Sequence, residues 1–267
     1  MANMKIAETL RRGFYLFKRK MMPCQTVGTS KFRDRQSMID EWSAASSAHI
    51  PGYQKWENGP IYCPWNGQDK EFMKLYERIK SRTLVQPDRL YFLYKMSQYA
   101  AAINGDFAEC GVYQGGTAFF LAQQAKAANK KIYLFDSFAG LPSSVNEHDN
   151  FHKEGDFYDT NFADVQNFLK EFKENIVFRP GFIPATLKGI EKEKFSFVHV
   201  DVDLNQTVIE CCEFFYPRLA AGGIMVFDDF GFPSCMGVRK AVEDYFLKVS
   251  QPVIVLPTGQ AFVIRSR

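Results

Sequence analysis

From about residue 106 to its end, the chain repeats one unit: a short apolar run followed by a stretch with helical spacing. The runs fall at 106–112, 131–136, 176–179, 195–200 and 223–227, with helical stretches at 116–129, 164–173, 184–190, 207–219 and 237–249. Strands that alternate with helices pair as parallel β-α-β units, and several in series build an open sheet covered on both faces. Positions 132–135 and 224–227 are apolar throughout, as strands buried on both sides require. The ending breaks the pattern. Segments 253–256 and 261–265, joined by Pro257-Thr258-Gly259, read as an antiparallel hairpin. The prediction is an α/β, doubly wound, mostly parallel sheet of seven strands, closed by that hairpin. Two helices precede it, at 71–80 and 88–103. Asp88 is the expected cap of the second, and Leu90, Leu93, Tyr94 and Met96 form its apolar side.

The first 70 residues form a separate region, with the regular domain running over 71–267. Residues 1–35 carry nine Lys/Arg against two acids, whereas the whole chain has a net charge of only +3. The remainder is therefore mildly acidic and offers no argument for nucleic acid. Residues 4–22 read as a basic amphipathic helix, with Ile6, Leu10, Phe14, Phe17 and Met21 on one face. Such an arm packs on its own body or on a second subunit, which allows a homodimer. A peripheral membrane contact is the other use for it. Residues 23–70, punctuated by Pro23, Pro51, Pro60 and Pro64 with Trp42, Trp56 and Trp65 between, read as loops with short helices.

The apolar fraction of 46% excludes a mostly disordered chain. No run approaches the roughly 18 apolar residues of a spanning helix. The six cysteines show neither a C-x-x-C pair nor zinc-finger spacing, and Cys211 and Cys212 are adjacent. That suits a reduced, cytoplasmic setting better than a disulfide framework, and no secretory leader is visible.

Chemistry concentrates at the predicted strand ends. Glu109-Cys-Gly111-Val-Tyr-Gln-Gly115-Gly116-Thr117 closes the first sheet strand. Its glycines allow a tight turn and close approach of backbone to a ligand at a helix start. The spacing matches neither a dinucleotide fingerprint nor a P-loop. A carboxylate at Glu109 repels a pyrophosphate and attracts an ammonium or sulfonium. Asp136-Ser137 ends the next strand, where an acid is placed to accept from ribose hydroxyls. His199-Val-Asp201-Val-Asp203 and Asp228-Asp229 end the fourth and fifth. Neighbouring strands lie about 4.8 Å apart, so these carboxylates converge and call for a cation: Mg²⁺, Mn²⁺ or Ca²⁺ with all-oxygen donors. Asp203 has a simpler use as a cap for the helix that follows it. The polar loop at 138–161, carrying His148 and His152, is long enough to serve as a substrate lid.

In these motifs and their order the chain resembles the macrocin O-methyltransferase (TylF-like) family of metal-dependent, S-adenosylmethionine-dependent methyltransferases. Its closing hairpin matches the Rossmann-like class I methyltransferase plan. The resemblance runs from about Arg82 to Arg265. It is carried by the motif at 109–116, Asp136-Ser-Phe-Ala-Gly-Leu-Pro142, Pro180-Gly-Phe182, Asp201-Val-Asp203-Leu204, Tyr216-Pro-Arg-Leu219, Asp228-Asp229 and Gly237-Val-Arg-Lys-Ala-Val242. It implies that Glu109, Gly111 and Asp136 hold the cofactor and that Asp201, Asp228 and Asp229 ligate Mg²⁺. It implies an acceptor hydroxyl on a sugar or other small natural product. The full candidate cofactor set is Thr83, Glu109, Gly111, Tyr113, Gly115, Thr117, Asp136, Ser137, Gly181, Phe182 and Asp201. Asp201 is the first candidate for the proton acceptor and Asp203 the second. The chain departs from the family at Asn205-Gln206-Thr207, where Tyr-Glu-Ser is usual, and at Tyr113-Gln114, where Trp-Arg is usual. A metal-independent methyltransferase and a nicotinamide-dependent oxidoreductase are the alternatives.

Overall fold

A computed structural model describes residues 34, 36–38, 63–144 and 146–266. The basic helix expected at 4–22 and most of the irregular region at 23–70 lie outside the described residues, and with them the arm's membrane and dimer roles.

The regular elements run in the expected order: helix α1 (Lys70–Ile79), α2 (Pro87–Ala100), strand β1 (Asp106–Cys110), α3 (Gly116–Ala127), β2 (Ile132–Asp136), α4 (Phe162–Phe168), β3 (Ile176–Pro180), β4 (Phe195–Val200), α5 (Asn205–Phe215), β5 (Leu219–Phe227), α6 (Met236–Lys248), β6 (Ile254–Val255) and β7 (Ala261–Ile264). They form one seven-stranded sheet in the order β3-β2-β1-β4-β5-β7-β6. The pairs among β1 to β5 are parallel, and β7 runs antiparallel between β5 and β6. The class I methyltransferase plan is therefore present in full. All six residues of β4 are buried, as a central strand with both faces covered must be. On one face a cluster containing Phe72, Leu90, Phe107, Phe119, Phe120 and Phe197 joins α1, α2 and α3 to the sheet. On the other, Phe135, Phe195, Phe215, Phe227 and Phe246 pack with α5 and α6. No helix among the described residues is long and apolar enough to cross a membrane.

Several boundaries moved for identifiable reasons. Asp88 does not cap α2. Extended Gln86 is the N-cap residue, and Pro87 takes the first helical position, where its fixed φ fits and its missing N–H is not needed. The stretch at 164–173 divides into α4, capped by the Asn161 side chain, and a 3₁₀ turn at Lys170–Phe172. The stretch at 184–190 is only the 3₁₀ turn Ala185–Leu187. Helix α5 stops at Phe215, ahead of a 3₁₀ turn that contains Pro217, and β5 starts at Leu219 rather than 223.

Candidate active site

The chain reverses direction of winding between β1 and β4, so the carboxyl ends of these strands open a crevice. Pairing of Val200 with Phe227 brings the next residues of β4 and β5 side by side, and the Asp228 N–H donates to the Val200 carbonyl at 3.0 Å. The crevice is an open cleft with about 1070 Å³ of free space. Thr83, Gly111, Tyr113, Thr117, Asp136, Ser137, Gly181, Phe182, Asp201, Asp203, Asp228 and Asp229 all line it.

Gly111 shows why a glycine stands at the end of β1. Its φ is +89°, and a Cβ there would lie 1.8 Å from the Asp201 carbonyl oxygen. The tips of β1 and β4 cross too closely for a side chain. Asp136 braces the same turn. Its carboxylate accepts from the backbone N–H of Val112 (2.7 Å), Tyr113 (2.8 Å) and Phe138 (2.6 Å).

Two expected cofactor residues are not on the cleft. Gly115 has φ +83° and is the N-cap residue of α3, packed near Val165. Glu109 is fully buried, because β1 pairs it with His199 of β4. His199 Nδ1 and Glu109 Oε1 are 3.0 Å apart. On the other side His199 Nε2 is 3.6 Å from Asp228 Oδ1. The Arg89 guanidinium of α2 donates to Asp228 Oδ2 and lies 3.6 Å from Asp229. Gln260 Nε2 donates to Asp228 Oδ1 at 2.6 Å. A buried row of alternating charge therefore runs from the sheet to the cleft: Glu109, His199, then Asp228 and Arg89, which line it. Burial disfavours a charged His199, but Asp228 and Glu109 push its pKa up to about 9. Burial pushes Glu109 above its ordinary range, against the pull of His199. Burial would raise Asp228 too, yet Arg89 and His199 hold it below.

Asp229 shares Arg89 at 3.6 Å and Asp203 faces His152 at 3.5 Å, yet burial and mutual repulsion prevail at the remaining carboxylates. Burial, then Asp228, Asp229 and Asp203, drive Asp201 well above the ordinary carboxylate range. Asp229 is raised by burial and by Asp228, despite the pull of Arg89. Burial and Asp229 raise Asp203 to about 7. A divalent cation would relieve this repulsion, and the oxygen donors of Asp201, Asp228 and Asp229 suit a hard ion. Arg89 already supplies one positive charge to the set.

The use of Asp203 as a helix cap is corrected. The N–H of Asn205, first in α5, is taken by Asp149 of the long loop, at 3.1 Å to each carboxylate oxygen. The residue at the cap position, Leu204, has no side-chain bond to offer. Further contacts dock the loop: Ser144 on Asp149 (2.7 Å), Asn146 on Asn205 (2.8 Å), and Tyr113 and Gln114 on Asp159 (each 2.7 Å). Three of the residues that depart from the family pattern, Tyr113, Gln114 and Asn205, thus hold the loop. His148 is partly exposed beside Glu147, whereas His152 is buried against Asp203.

Sequence reasoning missed Arg89, His199 as a charge partner, and Gln260. No local pattern marks them. Arg89 stands 139 residues from Asp228 and reads as one more polar position on α2.

A family model described as Macrocin-O-methyltransferase (TylF) matches residues 79–256. The chain is 26% identical over 158 residues to 8-demethyl-8-(2,3-dimethoxy-alpha-L-rhamnosyl)-tetracenomycin-C 4'-O-methyltransferase of Streptomyces olivaceus, covering 55% of this chain and 59% of that one. It is 27% identical over 157 residues to Mycinamicin III 3''-O-methyltransferase of Micromonospora griseorubida, covering 54% and 61%. The chain spans about three fifths of the length of these relatives. Among solved structures, the O-methyltransferase NovP superposes with a TM-score of 0.63 at 21% identity, covering 70% of this chain and 83% of that one. CalS11, a calicheamicin methyltransferase, gives 0.61 at 18%, covering 91% and 98%. At those identities the likeness concerns the fold.

Proposed function

The chain belongs to the macrocin-O-methyltransferase (TylF) family, and on that premise we propose that it transfers the methyl group of S-adenosylmethionine to a hydroxyl of a sugar-bearing small molecule, with Mg²⁺ beside the acceptor. The observation that carries this reading is the convergence of Asp201, Asp203, Asp228 and Asp229 in one cleft that Asp136 and Gly111 also line. The nicotinamide alternative lapses with the family assignment. The sugar follows from the relatives, one of which is named for a substrate with a rhamnosyl group.

Each group of lining residues has its task. Asp136 retains acceptor capacity beyond its three backbone bonds and is placed for a ribose hydroxyl. Leu84, Val85, Val112 and Phe182 give the cleft apolar surface for an adenine ring. The cleft's other carboxylates attract a sulfonium. Asp201, Asp228 and Asp229 would hold Mg²⁺, Asp228 by sharing oxygens it now gives to Arg89 and Gln260. A bound divalent ion lowers the pKa of an acceptor hydroxyl and fixes its position. Asp203, outside that ligand set and lining the same cleft, is placed to take the hydroxyl proton. On this reading the second candidate, Asp203, is the base, and Asp201 serves as a ligand. In-line displacement then depends on how these residues align donor and acceptor.

A metal-independent reaction is the second reading, and Arg89 favours it, because this residue already brings a cation to Asp228 and Asp229. Transfer to rhamnosyl-bearing acceptors separates the two. With Mg²⁺ bound, EDTA is expected to slow turnover at least about tenfold and added MgCl₂ to restore it. Full rate in EDTA selects the second reading, and failure to bind S-adenosylhomocysteine at all defeats both. Asp136→Asn is expected to weaken S-adenosylhomocysteine binding about tenfold, near 1.4 kcal/mol, by calorimetry. Wild-type affinity in that variant would remove Asp136 from the cofactor site.

A further inference from the structure

We propose that His152, Asp203 and Cys235 form a second cation site, of the zinc class, distinct from the Asp201–Asp228–Asp229 cluster. The three side chains come from the long loop after β2, the end of β4, and the 3₁₀ turn Pro233–Cys235 that leads into α6. Their donor atoms lie within 4.8 Å of one another, and His152 and Cys235 are buried. His152 Nε2 is 3.4 Å from Cys235 Sγ and 3.5 Å from Asp203 Oδ1, and Cys235 Sγ is 3.7 Å from Asp203 Oδ1.

The spacing supports a cage better than a set of ordinary hydrogen bonds. The N···O approach of His152 to Asp203, at 3.5 Å, is long for a hydrogen bond, and the two sulfur contacts have lengths that a shared ion gives equally well. Ligands about 2.0–2.3 Å from one zinc ion, placed tetrahedrally, stand roughly 3.3–3.6 Å apart. The triangle therefore needs little adjustment to receive an ion. A metal-bound imidazole is usually oriented by a carboxylate on its other nitrogen. Asp156, itself buried, provides one, with Oδ2 3.4 Å from His152 Nδ1. Asp156 is fixed in turn by the Lys153 N–H at 3.1 Å. One imidazole, one sulfur and one carboxylate select zinc over magnesium, and three protein donors leave a fourth position for water. Binding releases the Cys235 thiol proton to solvent.

An ion there staples the loop at 138–161 to the sheet and to α6. It also takes the Asp203 carboxylate, so zinc inhibits methyl transfer; this consequence alone rests on the base role given to Asp203 above.

The test uses the full chain, stripped by chelator and titrated with Co²⁺. The expected result is one equivalent bound with a thiolate-to-cobalt charge-transfer band and tetrahedral d–d bands, displaced by Zn²⁺ but not by excess Mg²⁺. Cys235→Ser and His152→Gln, each shown to be folded by circular dichroism, should lose the spectrum. A wild-type protein without the thiolate band overturns the proposal, as does an undiminished spectrum in both variants. Neither readout involves turnover, so failure of the methyl-transfer reading would leave the cobalt result standing.

Discussion

Asp201→Asn is expected to lower turnover by about 10³-fold or more while affinity for S-adenosylhomocysteine stays within about threefold. The amide keeps the size of the side chain and removes the charge that Mg²⁺ needs. The proposed cofactor residues Gly111 and Asp136 are untouched, because the contact between the strand tips uses the Asp201 backbone rather than its carboxyl. The same change should not weaken the metal-free fold. Asp201 has a pKa raised above its unfolded value, since burial and three neighbouring carboxylates penalise its charge. A group of that kind favours the native state below its unfolded pKa, and the benefit is lost as pH rises toward the folded pKa. Above the unfolded pKa, burying this carboxyl among three others works against folding, and asparagine removes that penalty. Thermal melts in EDTA should therefore place Asp201→Asn at or above the wild type. An active variant would strip Asp201 of its role, and a large drop in melting temperature would contradict the electrostatics.

Arg89→Met should destabilise the protein by about 3–5 kcal/mol, the range for removing one partner of a buried ion pair. Methionine preserves much of the packing against the Phe232 ring, 4.8 Å from the guanidinium carbon. It leaves Asp228, which has no exposed side-chain surface, facing His199 and Gln260 without its main counter-charge. Asp228 is held below its ordinary pKa in the native protein, so its contribution is present at neutral pH and lost as pH falls through the folded value. In the variant that loss should begin at higher pH. Magnesium should raise the melting temperature of Arg89→Met more than that of the wild type, because the ion then supplies the missing charge. Identical denaturation curves for variant and wild type would show that the pair contributes nothing.

How much of this was legible differs by scale. The strand and helix order could be read because each strand is a short apolar block and each helix has its own period. The end of β4 at Val200 and the start of α3 at Gly116 fall where the residues indicate. Ends governed by proline or by distant caps were not legible: α2 begins on Pro87, and α5 takes its cap from Asp149, 56 residues earlier. The cleft residues at strand tips were visible because a parallel sheet gathers its carboxyl ends at one edge. What each tip residue faces was not. Glu109 was expected to meet the cofactor, yet the register of β1 on β4 turns it to His199.

The residues themselves determined the open mostly parallel sheet, the reversed final strand and the acidic edge, since hydrophobic period and strand-end position are local properties of the chain. Only the tertiary structure decided which acids are neutralised and which stay exposed to one another. That outcome depends on Arg89, His199 and Gln260, brought to Asp228 from helix α2, strand β4 and the turn before β7. Charge acts through space over a few ångströms, and no spacing along the chain encodes that distance.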